Sequence, residues 1–229
     1  MSKTLLGLLL RHGESNANAA NVFRSRLDPP LTDTGLKQAE DAADFITENF
    51  KIARIISSPM LRAMQTADKV SDAIGVPVIQ DRGLMCWNLG ILSGKDRVVY
   101  GPILELYVDN PDLEIPDGES LDYFTTRTQA FFEEMLEVAK DSDKYEYLPE
   151  EASGLWTIYE PATQPVTLFV CHTSNLVCLE NIVVDNPIGR PESGEAAVST
   201  GGIAAVYVDD EEVTIEPIFG IERPANFGS

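Results

Sequence analysis

Apolar positions along this chain follow two rhythms. Leu5 to Leu10 is apolar throughout, with Gly7 inside it. It is too short to span a membrane and suits a strand buried on both faces. Ile52 to Ile56, Val76 to Ile79 and Val166 to Val170 read the same way. Gly202 to Val208 and Val213 to Phe219 read as a hairpin around the acidic turn Asp209-Asp210-Glu211-Glu212. Between these runs the spacing becomes helical. Leu36, Ala39, Ala43, Ile46 and Phe50 share one face, with Thr32 or Thr34 as the cap. Ser58-Pro59 opens a helix through Leu61, Met64, Ala67 and Val70, which Gly75 closes. Asp96 to Val108 reads as helical, and Pro116-Asp117-Gly118-Glu119-Ser120 turns into a helix carrying Leu121, Phe124, Phe131, Met135 and Val138. A last helix runs through Leu176, Leu179 and Val183.

Strands alternating with helices predict a three-layer α/β/α sandwich around a mostly parallel sheet. The 229 residues suffice for one such domain over 1–229. Two stretches lack periodicity. Gly83 to Gly94 reads as a loop. Lys140 to Pro165 mixes acids, prolines and aromatics and is long for a connection, so it reads as an insertion, either a lid or a surface excursion. Trp156 and Tyr159 within it could cover a substrate or pack on the body.

Charge narrows the partners. With 37 acidic against 17 basic residues the formal charge is -20, which repels nucleic acid and anionic membrane alike. The three cysteines, Cys86, Cys171 and Cys178, lack metal-ligand spacing and cannot all pair within one monomer. Together with the missing signal-peptide pattern, they point to a reducing cytoplasm.

The candidate chemistry stands at strand ends. The first run ends in Arg11-His12-Gly13, where open α/β sheets place their ligands. A guanidinium beside an imidazole suits an anionic substrate, with His12 as base or nucleophile. Arg62 falls in the first turn of its helix, above the end of the second strand. It comes near Arg11 and His12 if those strands are neighbours. The chain has two histidines, and His172 also directly follows an apolar run.

Arg11-His12-Gly13-Glu14-Ser15 with Asn18, Leu31-Thr32 with Gly35 and Gln38-Ala39, Ser57-Ser58-Pro59 with Arg62-Ala63 and Gln65-Thr66-Ala67, Pro116 with Gly118-Glu119-Ser120, and His172 together form a spread pattern. It resembles the histidine phosphatase superfamily, in the branch of the phosphoglycerate mutase-like enzymes and related broad phosphatases. The resemblance implies a phosphoglycerate mutase-like fold and a small phosphorylated substrate. His12 would take the phosphoryl group as phosphohistidine, which water then hydrolyses. Arg11, Arg62 and His172 would bind the phosphoryl oxygens, with Asn18 and Thr173 in the same pocket, and His172 would work best as a cation. No metal or cofactor is implied.

One position departs from the pattern. Where relatives carry a glutamate that protonates the leaving oxygen, Leu84-Met85-Cys86-Trp87-Asn88-Leu89-Gly90 has Cys86. Thr173 also stands where some relatives place an aspartate. Asp28, Asp117 and Glu119 are other candidate acids. The expectation is a phosphomonoester phosphatase. A phosphoramidate phosphatase, which needs no strong acid, and a phospho-ligand binding protein are the alternatives.

Overall fold

The computed structural model describes residues 4–140, 165–183, 198–209 and 212–220. The insertion at 140–165 lies almost wholly outside them, as does the tip of the acidic turn.

β1 (Thr4–Arg11), β2 (Ile52–Ser57), β3 (Val78–Gln80), β4 (Val166–Cys171), β5 (Ile203–Asp209) and β6 (Glu212–Phe219) form one sheet in the order β3-β2-β4-β1-β5-β6. The first four strands in that order are parallel, β5 runs antiparallel to β1, and β6 pairs antiparallel with β5. The sheet is thus mixed, as a parallel block closed by the expected hairpin. β1 and β2 are not neighbours: β4 pairs with both, Leu10 opposite Val170 on one side and Ile56 opposite Phe169 on the other. Arg62 therefore reaches the end of β1 across an intervening strand.

Leu8, Leu9 and Leu10 are all fully buried, which explains why β1 shows no polar alternation. Successive side chains point to opposite faces. Leu8 and Leu10 pack with Ala42, Ala43 and Ile46 of α2 (Asp33–Asn49) and Ala63, Ala67 and Val70 of α3 (Leu61–Ile74). Leu6 and Leu9 pack on the other side with Phe131 and Phe132 of α5 (Leu121–Lys140) and Leu176 and Leu179 of α6 (Thr173–Val183). Each fully buried leucine is worth about 1.5–3 kcal/mol. A third apolar cluster, Phe23, Leu89, Leu92 and Ile115, packs the loops against Tyr100, Leu104 and Tyr107 of α4 (Arg97–Asp109).

Local signals largely act as read. Thr32 caps α2, its Oγ1 accepting from Gly35 N at 3.0 Å. Gly75 closes α3 at φ 75°. The stretch 83–94 holds two short 3-10 turns, Arg82–Leu84 at its edge and Gly90–Leu92. The start of α3 differs from expectation. Ser58-Pro59 precedes the helix rather than opening it, and the cap position is Met60, which has no side-chain acceptor. Asp28 supplies that acceptor from across the loop, taking the Leu61 N–H at 2.6 Å. Ser58 is occupied elsewhere, on His172.

Candidate active site

The two histidines come together because β1 and β4 are adjacent and parallel. Arg11 lies opposite Cys171, and His12 N donates to Cys171 O at 3.1 Å. The imidazole centroids of His12 and His172 are 5.1 Å apart. His12 is fully buried. Its Nδ1 is 2.6 Å from the Gly13 carbonyl, which can only accept, so Nδ1 carries the proton. Nε2 then presents its lone pair, and Arg62 Nε donates to it at 3.3 Å. Burial and the cations Arg62, Arg24 and Arg11 hold His12 well below the usual histidine range. The ring is neutral at physiological pH, the state a nitrogen nucleophile needs.

Backbone geometry fixes this corner. Gly13 N donates to Thr66 Oγ1 of α3, which in turn donates to Arg62 O. A Cβ at Gly13 would lie 2.3 Å from Gly35 O, so the strand end and the start of α2 fit only as glycine on glycine. Glu14 and Gln38 lock the same contact, Glu14 N donating to Gln38 Oε1 at 2.8 Å and Thr32 Oγ1 to Glu14 Oε1 at 2.8 Å.

Arg62 is almost fully buried. Loop carbonyls hold its fork: NH1 donates to Leu27 O at 2.8 Å and NH2 to Ser25 O at 3.2 Å. Ser25 adopts φ 45°, a strained left-handed turn for a serine, and this loop wraps the guanidinium. Arg11 NH1 donates to Val198 O at 2.8 Å, and its Nε is buried without a hydrogen-bond partner. His172 Nε2 lies 2.8 Å from Ser58 Oγ, while its Nδ1 and the Thr173 Oγ1 are buried and unpartnered. Unpaired buried polar atoms are costly, so the pair on the adjacent His172 and Thr173 calls for a polar partner. Burial, Arg62 and His12 push His172 well below its usual range. With no anion beside it the ring favours the neutral form, whereas the expected cation concerns a site that holds a phosphoryl group. A dianionic phosphoryl group reverses the local potential and favours its protonation.

Arg62 and His172 thus meet His12, and Arg11 is near enough to act on it, while Thr173 is placed only by following His172 in the chain. Asn18 is placed less directly: its Oδ1 accepts from Ser15 N at 3.0 Å and Ser15 Oγ at 2.7 Å, leaving its amide NH2 to offer. Sequence reasoning missed Arg24. Its guanidinium has no hydrogen-bond or ion-pair partner among the described residues. It acts on His12 more strongly than Arg11 does. Burial and the neighbouring Arg11, Arg62 and Arg97 push Arg24 down to about 9. The only sequence signal was an arginine in a loop rich in polar residues. Ser58 was likewise read as a helix cap, and the proline after it hid its role.

Cys86 sits inside the site. Its thiol donates to Ser25 O at 2.9 Å and lies 3.3 Å from Arg62 NH2. The other candidate acids are engaged or distant. Both oxygens of Glu119 face donors, from Arg127 Nε at 3.1 Å, Arg127 NH2 at 2.8 Å and Asn88 N at 2.8 Å. Arg127 also ties down Gly83 O, Met85 O and Cys86 O, so this pair shapes the loop that carries Cys86. Asp28 caps α3, 3.9 Å from Arg62 NH1. Asp117 stands in an exposed turn at φ 59°. A cavity of about 880 Å³ opens beside the centre, between Asp28, Met60, Met85, Tyr123 and the cations Arg26 and Arg82. Among the described residues no cluster of histidine, cysteine and acidic side chains is placed to hold a metal ion. None of their helices is long and apolar enough to cross a membrane.

Residues 8–145 match the histidine phosphatase superfamily, branch 1, and the chain belongs to that family. Probable phosphoglycerate mutase GpmB of Yersinia pestis is 34% identical over 139 residues, 58% of this chain and 64% of that protein. The chain therefore aligns with less than two thirds of the length of such relatives. A mycobacterial glucosyl-3-phosphoglycerate phosphatase superposes with a TM-score of 0.69 at 21% identity, over 93% of this chain and 96% of that one. The alpha-ribazole phosphatase of Shigella flexneri does so with a TM-score of 0.67 at 20% identity, over 94% and 98%. At such identities the likeness is one of fold.

Proposed function

We propose that the protein is a phosphatase that removes the phosphoryl group of a small phosphomonoester through phosphohistidine on His12. One observation carries this reading: the buried His12 is held as a neutral ring with its Nε2 lone pair towards Arg62, among further cations. The attacking nitrogen takes the phosphorus as the leaving oxygen departs. Arg11, Arg62 and His172 stabilise the charge spread over the equatorial oxygens, and Arg24 adds to their field. Phosphoryl transfer depends mainly on such positioning and fixed charge. Water then attacks the phosphohistidine and the ring leaves neutral, Nδ1 keeping its proton and still donating it to Gly13 O. Branch membership and the fold shared with phosphatases support hydrolysis. A mutase is the weaker reading, because a carboxylic acid to shuttle the proton is not in place at Cys86.

That same thiol favours a second reading, cleavage of a phosphoramidate such as phosphohistidine itself, whose nitrogen leaves more readily than an alkoxide. In the test, purified protein is incubated with a labelled aryl phosphate and quenched. An acid-labile, base-stable label on the wild type is expected, and His12→Ala is expected to lose both the label and at least ~10³-fold of the turnover. Undiminished turnover in His12→Ala places the nucleophile elsewhere.

A further inference from the structure

The site holds more cation than one phosphoryl group needs. Arg11 and Arg62 flank His12, and both already lean on carbonyl oxygens. Arg24 adds a third guanidinium with no partner among the described residues. Arg26 adds a fourth, loosely committed: it lies 3.6 Å from a Glu119 that Arg127 already grips on both oxygens. Arg24 and Arg26 flank Ser25, and the carbonyl of Ser25 is where the Cys86 thiol is seated. The two arginines therefore border the position where relatives hold the acid. A thiol between two cations stands in that position.

Such a site suits a leaving group that departs as an anion and needs no proton. An alkoxide requires protonation, since its conjugate acid is about as weak an acid as water. A phosphate monoester has a second pKa of about 6 and leaves unprotonated, while carrying charge that guanidinium groups stabilise. We propose that this site cleaves phosphoanhydrides, with Arg24 and Arg26 receiving the departing phosphate. The proposal rests on the phosphohistidine reading above and extends its substrates from phosphomonoesters to phosphoanhydrides.

The step balances without a further reactant. His12 Nε2 attacks the terminal phosphorus of a diphosphate. The N–P bond forms, the bridging P–O bond breaks, and its electron pair stays on the oxygen of the departing phosphate. Water then adds to the phosphorus, the P–N pair returns to Nε2, and one water proton goes to solvent at neutral pH. The cavity beside Arg26 and Arg82 gives the rest of a substituted diphosphate room. The strong mutual repulsion of Arg11, Arg24, Arg62 and Arg97 is consistent with a polyanionic ligand.

The test compares inorganic pyrophosphate, acetyl phosphate, 4-nitrophenyl phosphate and glycerol phosphate, with EDTA present. Wild-type kcat/KM for pyrophosphate is expected to exceed that for glycerol phosphate at least ~10²-fold, the scale of a missing general acid. Arg24→Gln is expected to lower pyrophosphate turnover at least ~10-fold, acetyl and nitrophenyl phosphate turnover by distinctly less, and Arg24→Lys to recover part of the loss. Arg24→Gln also removes an unpaired, largely buried cation, so its melting temperature without phosphate should match or exceed the wild type and show that it folds. Pyrophosphate split no faster than glycerol phosphate, with nitrophenyl phosphate still split through His12, overturns this proposal alone. An equal loss on all substrates in Arg24→Gln overturns the assignment of the second phosphate. Turnover that survives His12→Ala overturns the phosphohistidine reading and this proposal with it.

Discussion

Cys86→Glu probes the one position where the chain departs from its family's chemistry. The thiol is buried at 6% exposure, donates to Ser25 O and lies 3.3 Å from Arg62 NH2. A glutamate reaches farther towards the reacting centre and brings a proton donor beside Arg62, Arg24 and Arg26. Without a positioned acid, an alkyl phosphate loses on the order of 10²–10⁴ in rate. That is about 3–5 kcal/mol at 1.36 kcal/mol per decade. An activated aryl phosphate loses much less, because its oxygen leaves as a stable phenolate. Wild-type kcat/KM is therefore expected to rise steeply as the leaving group becomes more acidic, and Cys86→Glu to flatten that slope by raising the alkyl end. The sign of the pH effect follows from the neighbours. Cations depress a carboxyl pKa, so the glutamate is protonated only at low pH, and the alkyl gain grows as the medium is acidified. The assay is steady-state phosphate release over a series of matched aryl and alkyl phosphates at two pH values. Circular dichroism and a melting curve confirm that the mutant folds. Equal wild-type rates across the series would refute the reasoning and make Asp28 the next residue to replace.

Arg62→Ala should weaken binding of inorganic phosphate about 10–100-fold by calorimetry, since a charged hydrogen bond is worth about 1.5–3 kcal/mol, and should lower the melting temperature because Ser25 O and Leu27 O lose a donor. Both histidines are depressed in the folded state, so the unfolded chain binds more protons below its histidine pKa near 6.5. Unfolding free energy from denaturant titration should accordingly fall on acidification below that pH, by up to about 1.4 kcal/mol per pH unit for each histidine, and His12→Asn should remove one such increment. Gly35→Ala would place its Cβ 2.0 Å from Glu14 O. A loss of about 3 kcal/mol or more, read from the denaturation midpoint, is expected, and a change under 1 kcal/mol would show that the strand end can move away from α2.

The sequence shows those features that a local rule determines. The unbroken leucines of β1, the helical face of α2, the closing Gly75 and the hairpin all follow from periodicity or turn chemistry, and the structure has each of them. Arg11, His12 and His172 stand at the ends of apolar strands and Arg62 in the helical turn that follows one, and the structure brings Arg62 and His172 to His12. Strand order was less legible: β1 and β2 follow one another in the chain, and nothing local says that β4 separates them. Ser58 illustrates a second limit. Serine before proline is a strong helix signal, yet a tertiary bond to His172 took its hydroxyl, and Asp28, 33 residues earlier, supplied the cap. Arg24 illustrates a third. A solvated arginine and an arginine folded into a cationic cluster look the same in a polar loop, and only the wrapping of that loop around Arg62 separates them.

The placement of β4 between β1 and β2 has a consequence for biosynthesis. β1 leaves the ribosome first, and both of its neighbours, β4 and β5, are encoded roughly 160 residues or more downstream. At about 5–20 residues per second, the leucine-rich strand waits roughly 10–30 s with both edges open. Unpaired apolar edges are templates for aggregation. The nascent chain is thus a natural client for holding chaperones. Residues 8–145, which match the family, lack both strands that pair with β1. The two histidines meet in the same late event that zips β4 into the gap, so nascent protein gains its reactive centre only once the sheet is closed.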